Sequence, residues 1–397
     1  MTTPLNILYH FRTQGLGVEA VHISGIARAF QRLGHTVEFS SPGNVNPLES
    51  ISKASHYRSS KSFLRSVVDA APDFLFELFE IAYNFLGLLR NFRIARRFKP
   101  NMIYERHAFF LFSTALLAGW LKIPLVVEVN ELVGDPRVRG QPLLAVFARL
   151  SDRIVFKRAT LICVVSTHLK SRIVALGVDP DKVLVLPNGV DEADYAELAD
   201  GRALRSTHSI EQAEVVVGFV GWFVPWHRMD LLVEVVGRLR EKGVPVKLLL
   251  VGDGDCRADL EKQVAEAGLD DAVIFTGLVP HTDVAQYIAA MDVCVIPESN
   301  EYRSPIKMFE YMGQEKAVVA PDLEPISMVI SDGDDGLLFA RSNGDEMLDA
   351  IKQLSEDADL RHRVSRAARE KVMTQHTWRC NAERILRKTL ERVVKTY

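Results

Sequence analysis

The segment Ser304-Pro305-Ile306-Lys307-Met308-Phe309-Glu310 puts a hydroxyl, a proline, a lysine and a glutamate within two helical turns. Serine is a favoured helix N-cap and proline suits the first turn, so this spacing predicts a helix capped by Ser304 with Pro305 in its opening turn. The apolar run Val293–Ile296 just before it reads as a strand. The helix's unpaired N–H groups would then face whatever docks beyond that strand, and a diphosphate suits them. Lys307 opposes the helix dipole and is costly there unless an anion is present. Glu310, one turn on, can accept hydrogen bonds from two vicinal ribose hydroxyls. The plainer alternative is a capped helix with a surface lysine.

Other candidates are weaker. Gly15 and Gly17 stand between a strand at Leu5–Phe11 and a helix opening near Val18–His22, a place where backbone N–H groups can approach a phosphate. The third glycine of a dinucleotide fingerprint is missing, and the second strand ends in serines, which disfavours a nicotinamide site. Asp253-Gly254-Asp255 has the form of a metal-holding DxD motif but reads as a turn after a strand, and Asp332-Gly333-Asp334-Asp335-Gly336 as a solvated turn. No pair of carboxylates flanks an evident sugar site, which argues against two-acid hydrolysis. The four cysteines are scattered without CxxC spacing, so buried thiols in a reducing compartment are expected and a metal site is not.

The elements that position these residues alternate between short β-branched runs and longer helical stretches, the pattern of parallel α/β sheets. Strands are predicted at Leu5–Phe11, Thr36–Ser40, Met102–Glu105, Leu125–Asn130, Leu161–Ser166 and Val183–Leu186. Six more are predicted at Val215–Val220, Lys247–Val251, Val273–Thr276, Val293–Ile296, Ala317–Ala320 and Leu337–Phe339. Helices are predicted at Ile23–Leu33, Asp73–Phe98, Met229–Lys242, Arg257–Ala267, Asp283–Ala290 and Trp378–Val394. Six strands per half imply two doubly wound domains, 1–190 and 191–378, with the turn Pro187-Asn188-Gly189 at the break and the polar stretch Glu192–Glu214 as connector. The last helix, 379–397, is expected to pack back on the first domain.

The chain has 397 residues, 25% of them charged, and a net charge of -3 that conceals an asymmetry. Residues 1–190 carry +9 and residues 191–397 carry −12. A basic half suggests an anionic surface as its partner, and nothing suggests nucleic acid. The start lacks a secretory leader, and the apolar run Phe109–Leu121 is well short of the ~20 residues that span a bilayer. The helix Asp73–Phe98 combines Phe74, Leu75, Phe76, Leu78 and Phe79 with Arg90, Arg93, Arg96, Arg97 and Lys99. It reads either as a cover for the N-terminal sheet or as a helix lying on an anionic membrane.

The chain resembles glycosyltransferase family 4 over almost its whole length. The resemblance is carried in order by Gly15-Leu16-Gly17-Val18-Glu19, Val185-Leu186-Pro187-Asn188-Gly189-Val190-Asp191 and Phe219-Val220-Gly221. Pro225-Trp226-His227, Val251-Gly252-Asp253-Gly254, Ser304-Pro305-Ile306-Lys307-Met308-Phe309-Glu310-Tyr311-Met312 and Gly336-Leu337-Leu338-Phe339 complete it. It implies the GT-B fold, two facing Rossmann-like domains with a cleft between them, the second binding the nucleotide sugar and the first the acceptor. It also implies metal-independent hexosyl transfer with retention and no cofactor, from a UDP- or GDP-linked donor to a hydroxyl of a glycan or lipid-linked acceptor. The expected setting is surface polysaccharide or glycolipid synthesis, in the cytoplasm and peripheral on the inner face of the plasma membrane.

Carried over by position, the resemblance makes His227, Lys307, Glu310 and Asn130 catalytic. It makes Gly15, Gly17, Trp222, Arg228, Gly252, Val279, Tyr302, Ser304, Pro305 and Ile306 donor-binding, and Arg106, His107 and Glu131 acceptor-side. His22 is expected to be a satisfied structural histidine. Three positions depart from the family pattern. The first of two glutamates eight apart falls on Tyr302, with Glu301 adjacent. The residues that grip the diphosphate fall on Trp222 and His227, with Arg228 next door. A histidine of the first domain becomes Asn130. Lys307 is therefore expected to carry most of the diphosphate's charge, assisted by His227 and Arg228. Two rivals stay open, a catalytically silent nucleotide-sugar-binding partner, which Tyr302, Trp222 and Asn130 motivate, and a nucleotide-sugar epimerase of the same fold.

Overall fold

The computed structural model describes residues 4–12, 18–43, 46–48, 73–135 and 141–396. The chain forms two compact units, Met1–Leu186 with Trp378–Tyr397, and Pro187–Thr377. The first holds β1 (Asn6–His10), β2 (Thr36–Ser40), β3 (Met102–Arg106), β4 (Leu125–Val129), β5 (Leu161–Val164) and β6 (Val183–Val185) in the order β2-β1-β3-β4-β5-β6. The second holds β7 (Val215–Val220), β8 (Val246–Val251), β9 (Val273–Gly277), β10 (Val293–Val295), β11 (Ala317–Pro321) and β12 (Leu337–Phe339) in the order β12-β11-β10-β7-β8-β9. All neighbouring strands in both sheets run parallel.

The doubly wound α/β expectation is therefore met strand for strand, with ends shifted by one or two residues. β5 stops at Val164 because Ser166 is taken as a helix cap, its hydroxyl accepting from the Leu169 N–H. The near-continuous apolar strands follow from burial on both faces. In the second unit Val217, Phe219, Leu248 and Leu250 pack one way, with Leu232, Val235 and Ile351 of the Met229–Glu241 and Gly344–Glu356 helices. Val216, Val220, Leu249 and Val251 pack the other way, with Phe309, Met312, Ala368 and Val372 of the Ile306–Gly313 and Ala358–Gln375 helices.

Each sheet has one place where the strand order reverses, between β1 and β3 and between β7 and β10. Loops at the carboxyl ends of the strands diverge there and leave a crevice, the usual ligand position in open α/β sheets. The proposed connector Glu192–Glu214 is not a linker. Tyr195, Leu204 and Ile210 pack into the core of the second unit, and Arg369 donates to the Tyr195 carbonyl at 2.8 Å. In the first unit the Trp378–Thr396 helix lies against the Val18–Arg32 helix, close enough that a Cβ on Gly25 would sit 2.3 Å from the Trp378 ring. Among the described residues, no helix is long and apolar enough to cross a membrane.

Candidate functional site

At the switch point of the second sheet, β7 runs into Gly221 and β8 into Gly252. Both adopt positive φ (148° and 135°), and a Cβ on Gly252 would lie 2.0 Å from the Gly221 carbonyl oxygen. Only a glycine at 252 lets these backbones meet. The same contact leaves space over Gly221 for the Lys307 ammonium, which a Cβ at that position would approach to 2.6 Å.

Lys307 is the unusual group. Its Nζ is enclosed and has no hydrogen-bond partner, and the Phe219 ring centroid lies 3.8 Å away. Burial pushes its pKa down to about 7, only partly offset by the nearby Glu310 carboxylate. A ring face compensates an ammonium only in part, so an anion placed beside it would be favoured. The helix behind it agrees, because no side chain caps the first turn of Ile306–Gly313.

That corrects the cap assignment. Pro305, not Ser304, occupies the cap position, and the helix starts at Ile306. Ser304 is buried and committed elsewhere: its hydroxyl accepts from the Asn188 N–H at 3.0 Å and its carbonyl accepts from Asn188 Nδ2 at 2.6 Å. The Pro187-Asn188-Gly189 turn is thereby fastened to the start of the helix. Asn188 was not singled out from the sequence, and its enclosed Oδ1 accepts no hydrogen bond.

His227 does not act as the expected auxiliary cation. Burial first, then the Lys307 charge, lowers its pKa to about 3, so the ring is neutral. Its Nδ1 lies 2.7 Å from the Trp222 carbonyl, which can only accept, so Nδ1 carries the proton and Nε2 is left with a lone pair. Arg228 is likewise engaged, its Nε at 3.1 Å from both carboxylate oxygens of Asp230. The cation that does reach this region is Arg303, stacked over Trp226 (5.8 Å) and Tyr302 (5.2 Å) and contributing to the lowered His227 pKa. Sequence reasoning passed over it, although it adjoins Tyr302.

Glu310 is buried, with Oε1 3.4 Å from His281 Nε2. The hydrogen bond to Glu310 outweighs burial and raises the His281 pKa. Tyr302 is also buried, while the carboxylates flanking it in sequence, Glu298 and Glu301, are both bound by Arg341. Trp222 is half exposed, Val279 packs at the edge of the core, and Asp253 caps its own turn through the Gly254 N–H.

The acceptor-side candidates belong to the first unit, and Gly15 and Gly17 lie outside the described residues. Asn130 and Arg106 converge on Glu128, a carboxylate that sequence reasoning passed over. Asn130 Nδ2 donates to Glu128 Oε1 at 2.7 Å, Arg106 pairs with the same oxygen, and the Tyr104 hydroxyl donates to Oε2 at 2.9 Å. His22 Nδ1 lies 3.4 Å from Glu128 and its ring meets Trp378 edge-on, in keeping with a structural histidine. Burial alone would raise the Glu128 pKa, but His22, Arg106 and the hydrogen bonds from Asn130 and Tyr104 outweigh it and the net shift is downward. His107 is a correction: its Nε2 is bound to the buried Asp152 at 2.8 Å and its ring packs against Phe109 and Phe156, so it is not free to meet an acceptor. The first switch point carries a second buried pair, His10 Nδ1 to Glu105 at 3.0 Å, with Thr114 on the same carboxylate oxygen.

These two sheets have counterparts among known proteins. The family description "Glycosyltransferase Family 4" matches residues 19–194, and "Glycosyl transferases group 1" matches residues 214–357. The chain belongs to the group 1 glycosyltransferases of family 4, retaining enzymes of the GT-B fold that transfer a sugar from a nucleotide-sugar donor. It is similar to the alpha-D-kanosaminyltransferase of Streptomyces kanamyceticus, with 25% identity over 65% of this chain and 68% of that one. It is also similar to the D-inositol 3-phosphate glycosyltransferase of Stackebrandtia nassauensis, with 28% identity over 59% of this chain and 54% of that one. The chain thus spans between about half and two thirds of these relatives. The crystal structure of Anabaena HepE in complex with UDP superposes with a TM-score of 0.72 at 18% identity, covering 98% of this chain and 100% of that one, and supports the fold.

Proposed function

We propose that the second unit binds a UDP- or GDP-linked sugar with its diphosphate at the uncapped start of the Ile306–Gly313 helix. The observation that carries this reading is the enclosed Lys307 ammonium, without a hydrogen-bond partner and at a helix start that no side chain caps. Glu310 takes the ribose hydroxyls, and Arg303 adds charge from the preceding loop. The first unit takes a glycan or lipid-linked acceptor, with Asn130 and Arg106 ordered by Glu128 and Glu131 nearby in sequence.

In the transfer, the acceptor oxygen forms a bond to the anomeric carbon as the bond from that carbon to the diphosphate oxygen breaks. The acceptor's proton passes to the departing phosphate, and the sugar's configuration is retained. No side chain then needs to serve as nucleophile. The protein's contribution is orientation and stabilisation of charge developing on the leaving diphosphate. A resident metal is not required where Lys307, Arg303 and helix N–H groups supply that stabilisation.

The products are surface polysaccharide or glycolipid, made at the inner face of the plasma membrane, where the Asp73–Phe98 helix rests on anionic lipid. Exposed Phe79, Phe85 and Leu86 on that helix support this part of the reading.

Thermal stabilisation by UDP-, GDP- and ADP-sugars tests the donor site, because a true donor stabilises the fold by mass action. The best donor is expected to raise the melting temperature of the wild type and not of Glu310→Ala. Equal stabilisation of both would remove Glu310 from the site. A donor that binds without yielding any glycoside across glycan and lipid-linked acceptors would favour a silent binding partner instead.

A further inference from the structure

The first unit exposes far more apolar surface than one helix supplies. The Ser113–Leu121 helix packs beside Asp73–Phe98, with Phe92 and Trp120 ring centroids 4.9 Å apart. The Ala145–Arg158 helix packs beside Ser113–Leu121, and its lead-in is fastened to Asp73–Phe98 by Glu77, whose carboxylate accepts from the Leu143 and Leu144 N–H groups at 2.7 Å each. Across the three lie Phe79 (62% exposed), Phe85 (68%), Trp120 (66%), Val146 (75%) and Phe147 (56%). So many large exposed apolar side chains on neighbouring helices are unusual for a protein that stays in water.

The charges on these helices are sorted by sign. Among their described side chains every carboxylate is turned inward: Glu77 to backbone N–H groups, Glu80 to Arg12 at 2.7 Å, and Asp152 to His107 at 2.8 Å. The exposed charges, Arg93, Arg96, Arg149, Arg153 and Lys157 among them, are all positive. An apolar face bordered by cations alone complements an anionic bilayer, whose acyl region takes the side chains and whose headgroups take the charge.

We infer that these three helices together form one face that inserts into the interface of an anionic membrane. This rests on the reading that Asp73–Phe98 meets such a membrane, and extends the contact to Trp120 and to Leu143, Val146, Phe147 and Leu150. Trp120 then enters the headgroup boundary, where an indole is well accommodated.

The test uses the full chain with vesicles of phosphatidylcholine, with and without phosphatidylglycerol. Wild type is expected to co-sediment with the anionic vesicles and to show a blue shift of tryptophan emission that Trp120→Phe removes. Phe147→Ser with Leu150→Ser, and separately Phe79→Ser with Phe85→Ser, should each lower the partition coefficient at least about tenfold, since each pair withdraws two large apolar side chains from the lipid. Arg149→Glu with Arg153→Glu should lower binding to anionic vesicles. Unchanged donor-induced stabilisation in each variant certifies its fold.

If the Phe147/Leu150 pair and Trp120→Phe behave as wild type while the Phe79/Phe85 pair does not bind, the three-helix face is overturned and the single helix stands. If wild type binds no anionic vesicle, both fall. Self-association in solution that the Phe147/Leu150 pair abolishes would assign the face to a second copy of the chain and overturn the inference.

Discussion

Glu128 in β4 and Lys307 at the start of the Ile306–Gly313 helix are both ionisable groups enclosed by their own unit, and they are served in opposite ways. Glu128 is surrounded by Tyr104, Arg106, Asn130 and His22, which hold its pKa down against the effect of burial. Lys307 has an aromatic face, a helix start and one carboxylate at a distance, and its pKa falls to about 7. A charge saturated by its own protein shapes a surface. A charge left short of partners is a candidate for meeting a ligand.

The comparison breaks most visibly on stability. Glu128→Ala would strand Arg106 and His22 in the interior, a loss of about 3–5 kcal/mol by the usual cost of breaking a buried pair. Lys307→Met removes a buried charge that the Phe219 ring and Glu310 compensate only in part, so the free protein should be no less stable than wild type. Urea unfolding of both variants reads the contrast, and equal destabilisation would mean that Lys307 is structural after all. The next largest effect is on donor binding, where Lys307→Met should weaken affinity about 100-fold, the scale of a charge-assisted contact in a dry site. Calorimetric titration with the best nucleotide sugar measures it; a loss below about threefold would place the diphosphate elsewhere.

The two groups also differ in how visible they are in sequence. Lys307 stood out because a lysine in a helix's first turn opposes its dipole, and Glu310 because it follows one turn on. The twelve strands stood out because a sheet buried on both faces needs unbroken β-branched runs. Glu128 was hidden inside such a run, Leu-Val-Val-Glu-Val, where a single carboxylate in a buried strand is the signal that could have exposed it. Apart from Asn130, its partners come from β3 and the Val18–Arg32 helix, and only tertiary pairing assembles them. Ser304 was misassigned as a cap because Asn188, 116 residues away, competes for its hydroxyl. His227 and Arg228 were read as cations because composition shows charge type, not burial or the neighbouring Asp230.

A smaller effect follows from titration. In the free protein Lys307 titrates near 7. A bound diphosphate favours the ammonium and raises that pKa, so affinity is full below about pH 7. It declines by up to about tenfold per unit above it, until the raised pKa of the complex is passed. Binding at about pH 8 should therefore take up a proton, which titration in buffers of different ionisation enthalpy detects as a buffer-dependent heat. Lys307→Met should lose both the decline and the proton uptake. A wild-type affinity that stays level across this range would separate Lys307 from the diphosphate.

The mildest change sharpens the Glu128 side. Tyr104→Phe removes one hydroxyl, whose 2.9 Å bond to Oε2 is one of several that lower the Glu128 pKa, while Arg106 and Asn130 remain on Oε1. The loss should be about 1.5 kcal/mol, near the lower end for a hydrogen bond to a charged acceptor. Because the folded pKa is depressed, Glu128's contribution is present above its ordinary value of 4.5 and fades as pH falls through the folded value. Tyr104→Phe raises that folded pKa, so its acid unfolding midpoint should move upward along with the drop in urea midpoint. A variant that matches wild type in both would show that Arg106 and Asn130 alone satisfy the carboxylate and that the saturation seen around Glu128 includes one partner it does not need.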